Sequence, residues 1–238
     1  MLDRNLEKPK MAEVISIVAH QLKTPLSVIK GYLEVLLSED LGKVNKKQKE
    51  YLSDALKNVG RMARIVNYLL DVSRTEEGKF ELKLEKVSLE KIVEEIINNF
   101  SSWIRASNCR IYLKKPKKIP RVLVDPLKIR QVIENLISNA VKYKRPGEGK
   151  VEITLEVKGK NLLFSCRDNG IGIPKEDSKK VFTKFYRSER AMESDPSGTG
   201  LGLYINKAII NLAGGKIWFK RNKDSGVTFY FTLPIVKK

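Results

Sequence analysis

The sequence predicts an α+β chain in two parts. An antiparallel helical hairpin, pairing into a dimeric four-helix bundle, precedes an α/β two-layer sandwich. The apolar residues Ile15, Val18, Leu22, Pro25, Ile29, Tyr32 and Leu36 step alternately by three and four, and Leu52, Leu56, Val59, Ala63, Val66 and Leu70 do the same, as the seams of bundle helices do. From about residue 79 onward, short strand-like runs alternate with helical stretches around glycine turns. The 238 residues allow each part its own core, divided as 1–78 and 79–238.

Each element follows from local signals. The first helix spans 11–39, with Pro25 expected to kink it because proline removes a helical hydrogen bond. Ser38 to Asn45, with Gly42, make the turn, and the second helix runs over 46–74. One hairpin cannot bury both seams, so a homodimer is expected. Residues 75–86 read as a linker followed by an edge strand, Lys79–Leu84. Ser88 is placed to cap a third helix with Ile92, Val93, Ile96, Ile97, Phe100 and Ile104 on one face. Ile111–Lys114 and Arg121–Val124 are short strands. Asp125-Pro126 opens a helix that runs to about Tyr143, with proline at its first position. Lys150–Val157 and Leu162–Arg167 flank Gly159-Lys160 as a hairpin. A short helix near Glu176–Phe182, a polar loop Arg187–Thr199, a helix Leu201–Ala213 ended by Gly214-Gly215, and strands Lys216–Lys220 and Val227–Leu233 complete a mixed, mostly antiparallel sheet with helices on one face.

Hydrophobic residues make up 42% of the chain and charged residues 31%, which is a globular balance. The formal net charge of +18 raises nucleic acid as a partner. The lysines and arginines are scattered, however, without the basic stripe and interleaved aromatics of strand binders, so no nucleic acid is expected. Scarce glutamine beside abundant Lys, Glu and Ile points to a thermophile. Cys109 and Cys166 have no metal-ligand spacing and read as buried free thiols of a reducing compartment. No apolar run reaches the ~18 residues a membrane helix needs, so a soluble, cytoplasmic piece is expected. Its start at Met1, Leu2, Asp3 and Arg4 suits a fragment tethered through a sensor region outside it.

Four segments carry chemistry. His20, the one histidine, lies off the α-helical seam and therefore outward. An outward histidine with a proline five residues on is an exposed reactive group. Asn135, Asn139 and Lys142 share one helix face, where two amides and an ammonium suit a phosphate chain and its magnesium. Asp168-Asn169-Gly170-Ile171-Gly172-Ile173-Pro174 follows a strand. Its glycines admit a ligand close to the backbone, and Asp168 can accept from an exocyclic amine. Gly198-Thr199-Gly200-Leu201-Gly202-Leu203 runs into a helix and offers amides to an anion. Gly-Lys-Ser/Thr is absent, so this is no Walker loop.

In this order the last three segments resemble the N, G1 and G2 boxes of a Bergerat-type ATP site, and Phe182-Thr183-Lys184-Phe185-Tyr186-Arg187 resembles its F box. With His20-Gln21-Leu22-Lys23-Thr24-Pro25 upstream, residues 11–235 resemble the transmitter region of a bacterial two-component sensor histidine kinase. The resemblance implies ATP and Mg2+ as cofactors, with Asn135 on the metal. Asn139, Lys142 and Tyr143 would take the phosphate and ribose side. Asp168 would read the adenine amine, with Gly170, Gly172, Ile173 and Thr228 around it. Gly198, Thr199, Gly200, Leu201, Gly202 and Leu203 would close over the phosphates below a mobile lid, Arg187–Thr199, while Tyr186 and Arg187 steady the γ-phosphate. His20 would be the nucleophile, and the partner a response-regulator receiver domain whose dephosphorylating water Thr24 orients. The family usually carries an acid after the histidine. Gln21 stands there and can orient the imidazole but brings no charge.

Two rivals stay open at this stage. In a Bergerat-fold ATPase such as gyrase, a glutamate activates water where Asn135 stands, and an amide cannot be a general base. In a dimeric scaffold, ATP would be structural and His20 silent.

Overall fold

The computed structural model describes residues 11–236. The start at Met1 to Arg4 lies outside them. The chain divides into two compact units, one ending at Phe80 and one beginning at Glu81.

The first unit is a hairpin of α1 (Met11–Ser38) and α2 (Lys46–Glu76). The turn delivers Asn45 as N-cap of α2, in a reciprocal capping box with Gln48. The helical assignment of α1 runs unbroken through Pro25. Its packing corrects the expected seam. The hairpin closes on Ala19, Leu26 and Leu33, which meet Val59, Val66, Leu69 and Leu70. These α1 positions recur every seven residues, and Ala19 lets the helices approach closely. The stripe expected to be the seam faces outward on a single hairpin: Val18, Leu22, Ile29, Tyr32 and Leu36 are between 38% and 68% exposed. A bundle helix carries two apolar stripes, and periodicity alone does not say which one its own hairpin takes.

In the second unit a five-stranded sheet has the order β2-β4-β5-β7-β6. Its strands are β2 (Cys109–Lys114), β4 (Gly149–Lys158), β5 (Asn161–Asp168), β6 (Lys216–Arg221) and β7 (Val227–Pro234). Only the β2–β4 pair is parallel. A separate antiparallel pair joins β1 (Glu85–Val87) to β3 (Val122–Val124). The helices are α3 (Leu89–Asn99), α4 (Ser101–Ala106), α5 (Pro126–Lys142), α6 (Glu189–Ser194) and α7 (Gly202–Leu212). The core lies between sheet and helices. Phe164 and Phe231 stack there at 4.6 Å, beside Ile133, Leu136, Ile137, Ile205 and Ile209. Asp125 starts α5 where its sequence predicts, with Oδ1 accepting from the Leu127 and Lys128 amides and Oδ2 from the Lys83 amide.

Four local expectations are corrected. Lys79–Leu84 is irregular and the strand begins at Glu85, since the Lys83 amide serves the Asp125 cap rather than a ladder. Ser88 holds the N-cap position of α3 without a side-chain bond, and the expected long helix breaks at Phe100 into α3 and α4. Residues 176–182 form successive turns, not a helix. The loop 187–199 contains α6, capped by the Ser188 hydroxyl.

Candidate functional site

Asp168 ends β5 and forms the floor of the site. It is buried, and its Oδ1 accepts from the amides of Gly170 (2.9 Å) and Val227 (3.2 Å). No hydrogen bond ends on its Oδ2 among the described residues, so one acceptor of this carboxylate stays open. Burial pushes the Asp168 carboxyl up from 3.8 to about 6, against the lowering effect of the two amides. Two glycines make the floor possible. A Cβ on Gly170 would fall 2.3 Å from the Tyr143 carbonyl oxygen, and one on Gly226 would fall 2.2 Å from the Asp168 carbonyl. Thr228, buried beside this floor, donates to Asn222 Oδ1 at 2.7 Å, and Asn222 Nδ2 ties back to the Asp168 carbonyl at 2.9 Å. Gly172 turns with φ +76°, and Ile173 is half-buried after it.

The wall is the face of α5 that meets the start of α7. Asn135 presses on Gly202, where a Cβ would lie 2.7 Å from both its amide atoms. Its Nδ2 is buried without a partner. Asn139 is half-buried one turn on. Lys142 pairs with Asp195 at 3.4 Å. The Tyr143 phenol is pushed up by burial, opposed by the charge and hydrogen bond of Arg187.

Arg187 departs from its expected place. Its guanidinium donates to the backbone carbonyls of Ala191 (2.7 Å), Asp195, Pro196 (3.2 Å) and Gly198 (3.1 Å). It thus winds the loop 187–199 around itself instead of offering a free fork. Tyr186 likewise turns its hydroxyl to Asp177, and Lys180 lies 5.8 Å above its ring. Gly198 lies flat on the Arg187 guanidinium, and Gly200 (φ +70°) on the Phe185 backbone, where a Cβ would fall at 2.6 Å. Thr199 Oγ1 accepts from the Leu201 amide at 3.3 Å. The Leu201 side chain is in the core and Leu203 is half-buried, so any contact Leu201 makes with an anion is through its backbone.

In the first unit His20, Gln21 and Thr24 are all exposed. His20 and Thr24 are one turn apart on one face of α1. Pro25 has no N–H, so the Gln21 carbonyl loses its usual helical donor there.

Gly226, Asn222, Asp195 and Asn206 belong to this region and were not singled out from sequence. The Ser225-Gly226 turn before a strand and a lone amide on the apolar face of α7 were the available signals. Cys109 and Cys166 are free and buried, and burial raises both thiols.

Among the described residues no cluster of three or more His, Cys, Asp or Glu could hold a metal. A magnesium that arrives with phosphates keeps most of its waters and needs only one or two protein oxygens. Asn135 fits that demand, with an amide oxygen at the wall and a nitrogen that must turn inward. No helix among the described residues is long and apolar enough to cross a membrane.

Comparison with known proteins gives two family matches. Residues 10–78 match the His Kinase A (phospho-acceptor) domain, and residues 124–237 the histidine kinase-, DNA gyrase B- and HSP90-like ATPase. The chain is 35% identical over 224 residues to the sensor histidine kinase WalK of Bacillus subtilis, covering 93% of this chain and 36% of that protein. The chain thus spans about a third of the length of this curated relative. The solved catalytic domain of the histidine kinase ThkA is 31% identical, with a TM-score of 0.57 over 65% of this chain and 99% of that one. ThkA in complex with the response regulator TrrA is 26% identical, with a TM-score of 0.59 over 94% of this chain and 61% of that one.

Proposed function

We propose a function from one premise: this chain belongs to the sensor histidine kinases of two-component signalling, as a transmitter region. It transfers the γ-phosphoryl group of ATP to His20 and then to an aspartate on a response-regulator receiver domain. The observation that carries ATP binding is Asp168: a buried carboxylate with one oxygen bound by two backbone amides and the other open, on a floor kept clear by Gly170 and Gly226. The open oxygen accepts from the adenine amine. Asn135 would hold Mg2+ through its Oδ1, and the metal would supply charge neutralisation along the phosphates. Asn139, Lys142 and Tyr143 face the phosphates and ribose, with Lys142 first released from Asp195. The stretch Gly198–Leu203 lines the phosphate side, and Tyr186 and Arg187 act there through the lid they hold.

At His20 one neutral ring nitrogen attacks the γ-phosphorus, the bond to the bridging oxygen breaks, and ADP departs. Gln21 holds the second ring N–H by its side-chain oxygen. Such transfers depend on position and charge more than on covalent chemistry. Residues 1–78 form the homodimer and phosphoacceptor part, and residues 79–238 the catalytic part. The outward stripe of α1 supports the dimer. Thr24, one turn from His20, orients the water that dephosphorylates the regulator. A sensor region outside this chain completes the protein, in a bacterial cell.

Incubation with radiolabelled ATP and Mg2+ tests the proposal. The expected result is an acid-labile, base-stable label that is absent in His20→Gln and passes to a receiver domain. ATP binding without label would leave a scaffold, and label surviving in His20→Gln would remove His20 as the acceptor. In Thr24→Ala the label should still form while regulator dephosphorylation is lost.

A further inference from the structure

An asparagine that gives a cation its Oδ1 must turn its Nδ2 the other way, into the protein. For Asn135 that nitrogen is buried without an acceptor. Asn206 shows the complementary condition. It is fully buried, and neither its Nδ2 nor its Oδ1 has a partner. A buried amide left unanswered at both ends is costly and rare in folded proteins. The rest of that face of α7 is Ile205, Ile209 and Ile210. An aliphatic residue at 206 would remove the cost.

The two amides lie on helices that pack on one another, α5 and α7. Gly202 is the point of closest approach to Asn135, because a Cβ there would lie 2.7 Å from its Nδ2 and Oδ1. Asn206 is one turn beyond Gly202 on the same face of α7. Of the buried residues of α7, Ile205, Asn206, Ile209 and Ile210, Asn206 alone is polar.

We propose that Asn206 is a positioning residue for the metal that comes with the nucleotide. Its Oδ1 accepts from Nδ2 of Asn135, directly or through one buried water, and so holds Oδ1 of Asn135 toward the cation. This rests on the magnesium role of Asn135 given above. Groups that orient a metal ligand from behind commonly control metal affinity by tenfold or more.

Calorimetry of ADP binding to the full chain, once in excess Mg2+ and once in EDTA, tests it with Asn206→Val, Asn206→Thr and Asn135→Ala. Tryptophan fluorescence gives the thermal midpoint of each. In Asn206→Val the gain in affinity from Mg2+ should fall about tenfold, while the affinity in EDTA and the midpoint are kept or rise. Asn206→Thr has the same shape with a hydroxyl acceptor and should keep most of the gain. Should Asn206→Val not fold, Asn206→Leu, closest in shape to asparagine, takes its place. An unchanged Mg2+ gain in the aliphatic variant overturns the proposal, as does an equal loss in Mg2+ and EDTA. Asn135→Ala separates the two levels. If it retains the Mg2+ gain, the magnesium role of Asn135 fails and Asn206 falls with it. If it loses the gain while the aliphatic variant keeps it, only the role of Asn206 fails.

Discussion

Asp168→Asn should make the second unit more stable at neutral pH while it weakens nucleotide binding. The carboxyl stands at about 6 in the folded protein against an ordinary 3.8. The sign follows directly. Between about pH 4 and pH 6 the unfolded chain has lost this proton and the folded chain still holds it, so stability falls as pH rises through that window and stays lost above it. At about 1.4 kcal/mol per unit, a shift of about two units costs up to about 3 kcal/mol at neutral pH. Asparagine keeps an oxygen for the Gly170 and Val227 amides and carries no charge, so it escapes this cost. Urea unfolding followed by tryptophan fluorescence isolates the right unit, because Trp103 and Trp218 both lie beyond Glu81. The variant should exceed its parent by about 1–3 kcal/mol near pH 7.5 and match it near pH 4. ADP affinity should fall at least about tenfold, as an amide N–H meets the adenine amine. A variant no more stable than its parent near neutrality, with the parent's pH slope intact, would refute the assignment of that cost to Asp168.

Three further outcomes can be checked. A charge at Leu22 or Ile29, both exposed on one hairpin, should dissociate the dimer by several kcal/mol with the helices kept by circular dichroism. The same charge at buried Val66 should unfold the hairpin itself, so light scattering with circular dichroism distinguishes the two surfaces. Gln21→Glu should speed autophosphorylation at least about tenfold, or ~1.4 kcal/mol of barrier, in single-turnover labelling at unchanged ATP affinity; an equal or slower rate sinks the account of position 21. Asp195→Asn frees Lys142 from a partly exposed ion pair worth up to about 1 kcal/mol, so ADP should bind about two- to fivefold more tightly by calorimetry, and a loss of affinity would mean that the pair holds the site open rather than shut.

What was legible in the sequence was local. Asp125-Pro126 announces α5 because the cap and the helix it starts are three residues apart. Gly159 marks its hairpin for the same reason, as the turn is chosen by the residue that sits in it. Part of the floor was readable because a strand, Asp168 and Gly170 stand together in the chain, whereas Gly226, which keeps the other side clear, comes from the turn before β7 and was not. The inward stripe of α1 was not, since apolar residues line both sides and the choice is made by Ala19 meeting α2. α6 was hidden because its order comes from Arg187, which gathers carbonyls spread over the following eleven residues. Asn206 was not legible, because its one local signal is a polar residue among isoleucines and the residue it is proposed to serve lies on another helix.

The grip of Arg187 on the lid has a thermodynamic consequence. Freezing one residue's backbone costs about 1–2 kcal/mol of entropy, whereas a micromolar ligand brings only about 8 kcal/mol in total. A loop ordered afresh at each arrival of nucleotide would therefore consume the affinity that should hold the nucleotide. Here the segment is already wound on a single guanidinium, and its two ends meet where Phe185 (φ +60°) and Gly200 (φ +70°) lie against each other. A motion confined to those two joints would change a few torsions and leave the conformational entropy of the residues between them nearly untouched.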